Sequence, residues 1–132
     1  MIKQLVLVDD DEVYVYLTRR MIEETHLVDL VKVFRNGLEA INFLKSNVDH
    51  PDDLPEVIFL DLSMPVMDGW QFLKEFILLK PHIGRKIVVY IVTSSISPED
   101  IARSQAISEV SDYLIKPVSK EQFIALINGM FK

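Results

Sequence analysis

The sequence predicts a single doubly wound α/β domain, in which five parallel strands alternate with five helices. Short apolar runs rich in β-branched residues recur along the chain, and capped helical segments lie between them. The runs lack the alternation of a half-exposed strand, which is typical of strands buried on both faces of a parallel sheet. A length of 132 residues fits one such domain, with helices covering both faces of the sheet.

Three of the strands are predicted from continuous apolar runs, at residues 5–8, 57–60 and 87–92. Two weaker candidates, at 30–34 and 111–115, complete the set of five. The polar, proline-bearing segment 47–55 is predicted to be a surface loop rather than a linker between domains.

The five helices are predicted from start and stop signals. Asn36 with Glu39 and Ser119 with Gln122 have the spacing of helix caps, the second pair as a capping box. Ser97 precedes a proline and two acids, which is typical of a first helical turn. The predicted helices cover residues 12–24, 36–45, 70–79, 97–105 and 119–131, and Pro81 ends the third.

Composition excludes several classes of protein. The net charge is −6, the pI is near 5.0 and no Lys/Arg run is present, which argues against direct binding of nucleic acid. The chain has no cysteine, so disulfides and thiolate metal sites are excluded. There is no signal peptide pattern and no apolar stretch of ~20 residues, so we expect a cytoplasmic protein without a membrane segment.

Polar and charged residues follow four of the predicted strands. Asp9 and Asp10 follow the first, Asp61 the third, Thr93 the fourth and Lys116 the fifth. The carboxyl ends of parallel strands form one ligand crevice, so these side chains are expected to converge. Clustered carboxylates suit Mg²⁺, and a carboxylate nucleophile could accept a phosphoryl group as an aspartyl phosphate. Lys116 would supply positive charge and Thr93 a hydrogen bond to that group.

Each of these features has a structural explanation when it is considered alone. Aspartates after a strand are often a solvated helix N-terminus, favoured by the helix dipole. A single strand-end Asp is commonly a turn residue, and a Thr-Ser pair a cap. The functional interpretation depends on all four features lying at the same edge of the sheet.

Four segments of the chain together resemble the receiver domains of two-component response regulators. They are residues 8–12 (VDDDE), 61–69 (DLSMPVMDG), 92–94 (VTS) and 112–117 (DYLIKP), which occur in the order found in that family. The resemblance runs along the whole chain. It implies a flavodoxin-like (βα)5 fold with strand order 2-1-3-4-5, a receiver domain over residues 1–132 and no output domain.

The resemblance also implies a role for each matching residue. Asp61 would be the phosphoacceptor, and Thr93 and Lys116 would contact the phosphoryl group. Asp10 and Asp61 would bind Mg²⁺ through their side chains, Ser63 through its backbone carbonyl and Asp9 mainly through water. Tyr113 would be the switch aromatic that moves inward with Thr93, although it could also be an ordinary half-buried strand tyrosine. Pro117 would follow a cis peptide bond.

The implied function is a signalling switch. The phosphoryl donor would be a sensor histidine kinase or a histidine phosphotransfer protein, and the output would be binding to an unknown downstream protein. Such a domain acts catalytically only on itself, so we do not expect an enzyme. A monomer or a phosphorylation-dependent dimer is expected. Positions such as Ser63 and Ser95 vary in the family and tune how long the phosphoryl group survives.

Three other classes compete with this interpretation. Phosphatases of the haloacid dehalogenase type also use a strand-end aspartate with Mg²⁺, but their second acid is replaced here by Ser63, which leaves no general acid. A degenerate receiver acting only as an interaction module would have lost part of the pocket. A nucleotide-binding Rossmann domain would need glycines in segment 8–12.

The sequence leaves the roles of two surfaces undecided. The last helix has a wide apolar stripe, which is either packed by the C-terminal tail or exposed as a partner or dimer patch. Its members are Phe123, Ile124, Leu126, Ile127, Met130 and Phe131. Tyr14 and Tyr16 on the first helix are similarly undecided and could form a docking site for the kinase or phosphotransfer protein.

Overall fold

The computed structural model describes residues 1–130 and contains a five-stranded parallel sheet with helices on both faces. The strands are β1 Ile2–Val8, β2 Val28–Phe34, β3 Val57–Leu60, β4 Val88–Thr93 and β5 Val110–Ile115. Their order across the sheet is β2-β1-β3-β4-β5, and every neighbouring pair is parallel. The predicted flavodoxin-like α/β fold and its strand order are confirmed.

The strength of each strand signal follows its place in the sheet. The central strand β3 is buried at all four positions, whereas most residues of the outer strands β2 and β5 are exposed or half-buried. Outer strands pair on one side only and expose more side chains, so their sequences are more polar. This explains why the predictions for β2 and β5 were the weaker ones. The predicted starts of β2 and β5 were two residues and one residue late, and the predicted start of β1 was three residues late.

The helices are α1 Glu12–Thr25, α2 Gly37–Ser46, α3 Gly69–Leu79, α4 Pro98–Gln105 and α5 Lys120–Gly129. Each begins after a side-chain N-cap: Asp11, Asn36, Asp68, Ser97 and Ser119. The reciprocal capping box, missed in the sequence, is at Asp68 and Gln71. At Ser119 only the half of the predicted box that accepts from Gln122 is formed among the described residues.

Other differences from the predictions are local. Two short 3₁₀ turns, Pro51–Asp53 and Lys80–His82, lie in the predicted loop and after α3. The predicted end of the last helix at Phe131 lies outside the described residues. On α5, Phe123 and Ile127 are fully buried and Met130 is half-buried against the core, so part of the predicted apolar stripe belongs to the core.

The sheet separates two apolar clusters. One lies between the sheet and α1 and α5, and includes Ile22 and Phe123; the other lies under α2 and α3, and includes Ile41 and Phe72. Full burial of each such side chain contributes roughly 1.5–3 kcal/mol. The two clusters pack the helices against the sheet, and this packing anchors both ends of the loops that follow the strands.

Candidate functional site

Three carboxylates meet at the carboxyl edge of the sheet. Asp9 follows β1 and Asp61 follows β3, and the two strands pair side by side, with Val8 opposite Leu60. Asp10 is exposed, whereas Asp9 and Asp61 are only 5% and 6% exposed. Each residue offers a ligand oxygen within 4.8 Å of the others. The predicted convergence of these carboxylates is therefore observed.

Lys116, at the end of β5, bridges two of the carboxylates. Its Nζ lies 2.6 Å from Asp9 Oδ2 and 3.3 Å from Asp61 Oδ2. Its amide donates to the Thr93 carbonyl at 2.9 Å, and the Lys116–Pro117 peptide bond is cis, as the resemblance implied. The ammonium thus reaches the ends of β3 and β1, which are two and three strands away from β5 in the sheet.

The charges in this cluster are unequally compensated. Burial raises the pKa of Asp9 above its ordinary value of 3.8, although Lys116 and the Asp11 amide donate to its carboxylate. Burial alone would lower the pKa of Lys116, but hydrogen bonding and attraction from Asp9 and Asp61 raise it. The cluster contains three carboxylates and one ammonium, which pairs with two of them. The excess negative charge favours binding of an additional cation.

Thr93 and Tyr113 are linked through Ser95. The Ser95 amide donates to Thr93 Oγ1 at 3.3 Å, and the Tyr113 hydroxyl donates to the Ser95 carbonyl at 2.9 Å. Ser95 Oγ also donates to Asp100 on α4 at 2.6 Å. Thr93 is 2% exposed and Tyr113 is half-buried. One loop residue thus connects the strand-end hydroxyl, the tyrosine of β5 and α4.

The loop after β3 holds Asp61 in a defined orientation. The Leu62 amide donates to Asp61 Oδ1 at 2.8 Å. Further along, the Met67 amide donates to the Pro65 carbonyl at 2.7 Å, around Val66 with a φ of 68°. A left-handed β-branched residue is strained. Ser63 is exposed in this loop, and ligation by its carbonyl stays a prediction.

Tyr14 is part of the site, although the sequence indicated only a possible docking residue. It lies in the first turn of α1, and its ring centroid is 4.4 Å from Lys116 Nζ. The contact joins α1 to the end of β5, so no spacing along the chain signals it. Tyr16 is exposed and lies outside this contact.

A five-stranded parallel sheet with an acidic cluster and a lysine at its carboxyl edge defines a doubly wound α/β domain with a polar site at the strand ends. Residues 5–128 match the family model of the response regulator receiver domain, and the chain belongs to that family, whose members act in two-component signalling. Within residues 1–130, no helix has both the length and the apolar character needed to cross a membrane.

Relatives and solved structures agree with this assignment. The chain is 30% identical over 117 residues to the probable methanogenesis regulatory protein FilR2 of Methanothrix harundinacea, covering 89% of this chain and 74% of FilR2. It resembles a two-component response regulator from Cytophaga hutchinsonii, with TM-score 0.84, 29% identity and coverage of 98% and 97%. The Mn²⁺-bound response regulator Rcp1, known from Synechocystis, gives TM-score 0.72, 27% identity and coverage of 97% and 91%. Longer relatives exist, of which the chain spans 11% to 52%.

Proposed function

We propose that this chain accepts a phosphoryl group on Asp61, in a Mg²⁺-dependent reaction, from a sensor histidine kinase or a histidine phosphotransfer protein. The modified domain then changes its affinity for a downstream protein. The observation that carries the proposal is the arrangement of Asp9, Asp10 and Asp61 around one point, with Lys116 bridging two of them. The match of residues 5–128 to the receiver-domain family supports the proposal.

The donor set fits a hard divalent cation. Asp9, Asp10 and Asp61 offer only carboxylate oxygens, the ligands that Mg²⁺ prefers. A bound Mg²⁺ would neutralise charge on the phosphoryl oxygens during transfer. The response regulator Rcp1 has been solved in a Mn²⁺-bound form, which supports binding of a divalent cation by this chain. Asp9 and Asp10 would hold the ion, together with Asp61 and the Ser63 carbonyl.

The residues around Asp61 suit phosphoryl transfer to a carboxylate. The Leu62 amide fixes one carboxylate oxygen, so the other is presented in one direction. Transfer breaks the phosphorus–nitrogen bond of a phosphohistidine and forms a phosphorus–oxygen bond to Asp61, and the imidazole keeps the electron pair and takes up a proton. Lys116, already within 3.3 Å of Asp61, would offset the charge of the transferred group.

The Thr93–Ser95–Tyr113 network supports a switching role. If Thr93 Oγ1 turns to a phosphoryl oxygen, the Ser95 amide loses its hydrogen-bond acceptor. Ser95 also accepts a hydrogen bond from Tyr113 through its carbonyl and donates one to Asp100 through its hydroxyl. The conformation of this loop and the position of Tyr113 would therefore change together. Phosphorylation and partner binding would reinforce each other as two ligands of one conformation.

Phosphorylation can be tested with a small-molecule donor. We expect acetyl phosphate with Mg²⁺ to add one phosphoryl group, detected by intact mass, labile to hydroxylamine and abolished by EDTA. Asp61→Asn should remain unmodified. Asp11→Asn is the matched control, because asparagine also caps α1 at this exposed position, and it should be modified like wild type. Modification of Asp61→Asn to the wild-type extent would refute Asp61 as the phosphoacceptor.

The switch has a separate test with beryllofluoride, a mimic of the phosphoryl group. In wild type and Thr93→Ser, Mg²⁺ and beryllofluoride should shift the amide NMR signals of residues 95–97 and the ring signals of Tyr113. In Thr93→Ala, the mimic should still bind, and those shifts should be largely lost. Full shifts in Thr93→Ala would show that the Thr93 hydroxyl does not transmit the signal.

Trp70 offers a second probe of the same states. Arg103 of α4 lies over the Trp70 ring at 4.3 Å, so the fluorescence of Trp70 should respond when α4 moves.

The phosphatase alternative predicts turnover of a generic phosphomonoester. Ser63 stands exposed where that class needs its second acid, and we expect no turnover.

A further inference from the structure

Lys116 has a third contact besides its two carboxylates, and this contact is made by an aromatic ring. The ammonium is 2.6 Å from Asp9, 3.3 Å from Asp61 and 4.4 Å from the ring centroid of Tyr14. The Lys116 side chain is only 14% exposed, so little water competes for the ammonium. A cation facing a ring at this distance is attracted to it, and the attraction is stronger when water is excluded.

The three contacts respond differently when the site is in use. Under the proposed function, Asp9 turns its charge toward a metal ion and Asp61 carries the phosphoryl group. Both ion pairs of Lys116 in the present structure would then be weakened or exchanged. The ring of Tyr14 binds neither a metal ion nor a phosphoryl group, so its contact with the ammonium can persist through the reaction.

We propose that Tyr14 is a positioning residue, whose ring holds the Lys116 ammonium in place while Lys116 exchanges its contacts with Asp9 and Asp61 for the phosphoryl group. This inference rests on the proposed function and adds a residue to its machinery. Tyr14 reaches the site from α1, whereas Lys116 reaches it from β5, so the contact also joins two separate elements.

The ring face is the relevant feature of Tyr14, and the hydroxyl is not. Among the described residues, the Tyr14 hydroxyl is buried without a hydrogen-bond partner. Burial raises the pKa of the Tyr14 phenol and the nearby Thr18 hydroxyl opposes that rise, but the two hydroxyls do not meet in hydrogen-bond geometry. Removal of the hydroxyl should therefore leave the positioning of Lys116 intact.

This distinction defines the variants. At saturating Mg²⁺, Tyr14→Leu should bind beryllofluoride about 3- to 30-fold more weakly than wild type, because the ring still holds the ammonium after the metal and the mimic have weakened both of its ion pairs, whereas in the free protein those ion pairs hold it without the ring. Tyr14→Phe keeps the ring and should bind like wild type. Mg²⁺ affinity in the absence of beryllofluoride should change by less than about twofold in both variants, because Lys116 still pairs with Asp61 until the mimic occupies that carboxylate. That measurement also establishes that both variants are folded.

A second readout follows the contact directly. A facing ring shifts the Hε protons of Lys116 upfield in NMR spectra, and this shift should be present in metal-free protein and persist with Mg²⁺ and beryllofluoride. It should be retained in Tyr14→Phe and lost in Tyr14→Leu. Disappearance of the shift on beryllofluoride binding would overturn the inference, as would wild-type affinity in Tyr14→Leu or equal weakening in Tyr14→Phe.

Failure of the proposed function gives a different result. If wild type and Asp61→Asn respond identically to beryllofluoride, the proposed function fails and this inference fails with it. If wild type binds beryllofluoride through Asp61 and Tyr14→Leu binds equally well, only the role of Tyr14 is refuted.

Discussion

The Tyr113 hydroxyl donates a hydrogen bond to the carbonyl oxygen of Ser95 over 2.9 Å, which ties β5 to the loop after β4. The Ser95 amide in turn donates to Thr93 Oγ1, and the Thr93 carbonyl accepts from the Lys116 amide at 2.9 Å. Tyr113 and Lys116 are therefore connected through Ser95 and Thr93. A small displacement of Thr93 would reach the surface of β5 by this route.

Tyr113→Phe should lower the free energy of unfolding by about 0.5–1.5 kcal/mol, the net contribution of one intramolecular hydrogen bond. Urea denaturation measures this change. The matched control is Tyr16→Phe, because the Tyr16 side chain is exposed and its hydroxyl accepts a long hydrogen bond from Arg20 at 3.5 Å. It should change stability by less than about 0.5 kcal/mol. Equal losses in both variants would mean that the Ser95 contact contributes nothing specific.

The affinity for Mg²⁺ should fall as the pH is lowered toward the pKa of Asp9. Burial raises that pKa above 3.8, so protonation competes with the metal at a higher pH than for an ordinary aspartate. Below this pKa, the affinity should drop about tenfold per pH unit for each displaced proton. Titration of Trp70 fluorescence at several pH values provides the measurement.

Asp9→Asn serves as the comparison in the same titration. It should bind Mg²⁺ more weakly at neutral pH, and the onset of its acid loss should move to lower pH because the raised pKa is gone. An unchanged pH profile in Asp9→Asn would show that Asp9 does not set the acid limit.

Gly69→Ala should lower the free energy of unfolding by about 1–3 kcal/mol, as overpacking does in a tight core. A Cβ at Gly69 would collide with the Asp61 carbonyl oxygen and lie 2.9 Å from Leu62 Cα. Gly129→Ala is the control, since a Cβ there meets nothing within 4 Å. We expect it to be neutral or more stable by about 0.5–1 kcal/mol. Thermal or urea unfolding compares the two, and a stable Gly69→Ala would contradict the close approach.

Val66→Gly should stabilise the protein by about 0.5–2 kcal/mol. The left-handed conformation of Val66, with φ 68°, costs roughly 1–3 kcal/mol for a residue other than glycine, and the added freedom of glycine in the unfolded chain offsets part of the gain. Val66 is 73% exposed, so little packing is lost. Val66→Ala keeps a Cβ and should gain less. A destabilised Val66→Gly in urea denaturation would count against strain at this turn.

The sequence by itself determined the fold and which strand-end side chains meet at one edge of the sheet, but not the contact of Tyr14 with them. Buried parallel strands must be apolar on both faces, so residues 57–60 were predicted with their observed bounds. The carboxyl ends of parallel strands share one edge, so Asp9, Asp61 and Lys116 had to approach one another once the order of the strands was known. The outer strands were less readable, because partial exposure makes their sequences resemble loops.

The tertiary structure decided how the side chains are paired. Lys116 lies closer to Asp9 than to Asp61, its ammonium faces Tyr14, and Ser95 joins Thr93 to Tyr113. These contacts join elements far apart in the chain and depend on side-chain reach and rotamers, which spacing along one strand or helix does not encode. The periodic pattern of the sequence specifies which face a residue lies on, and packing between the elements then selects its partner.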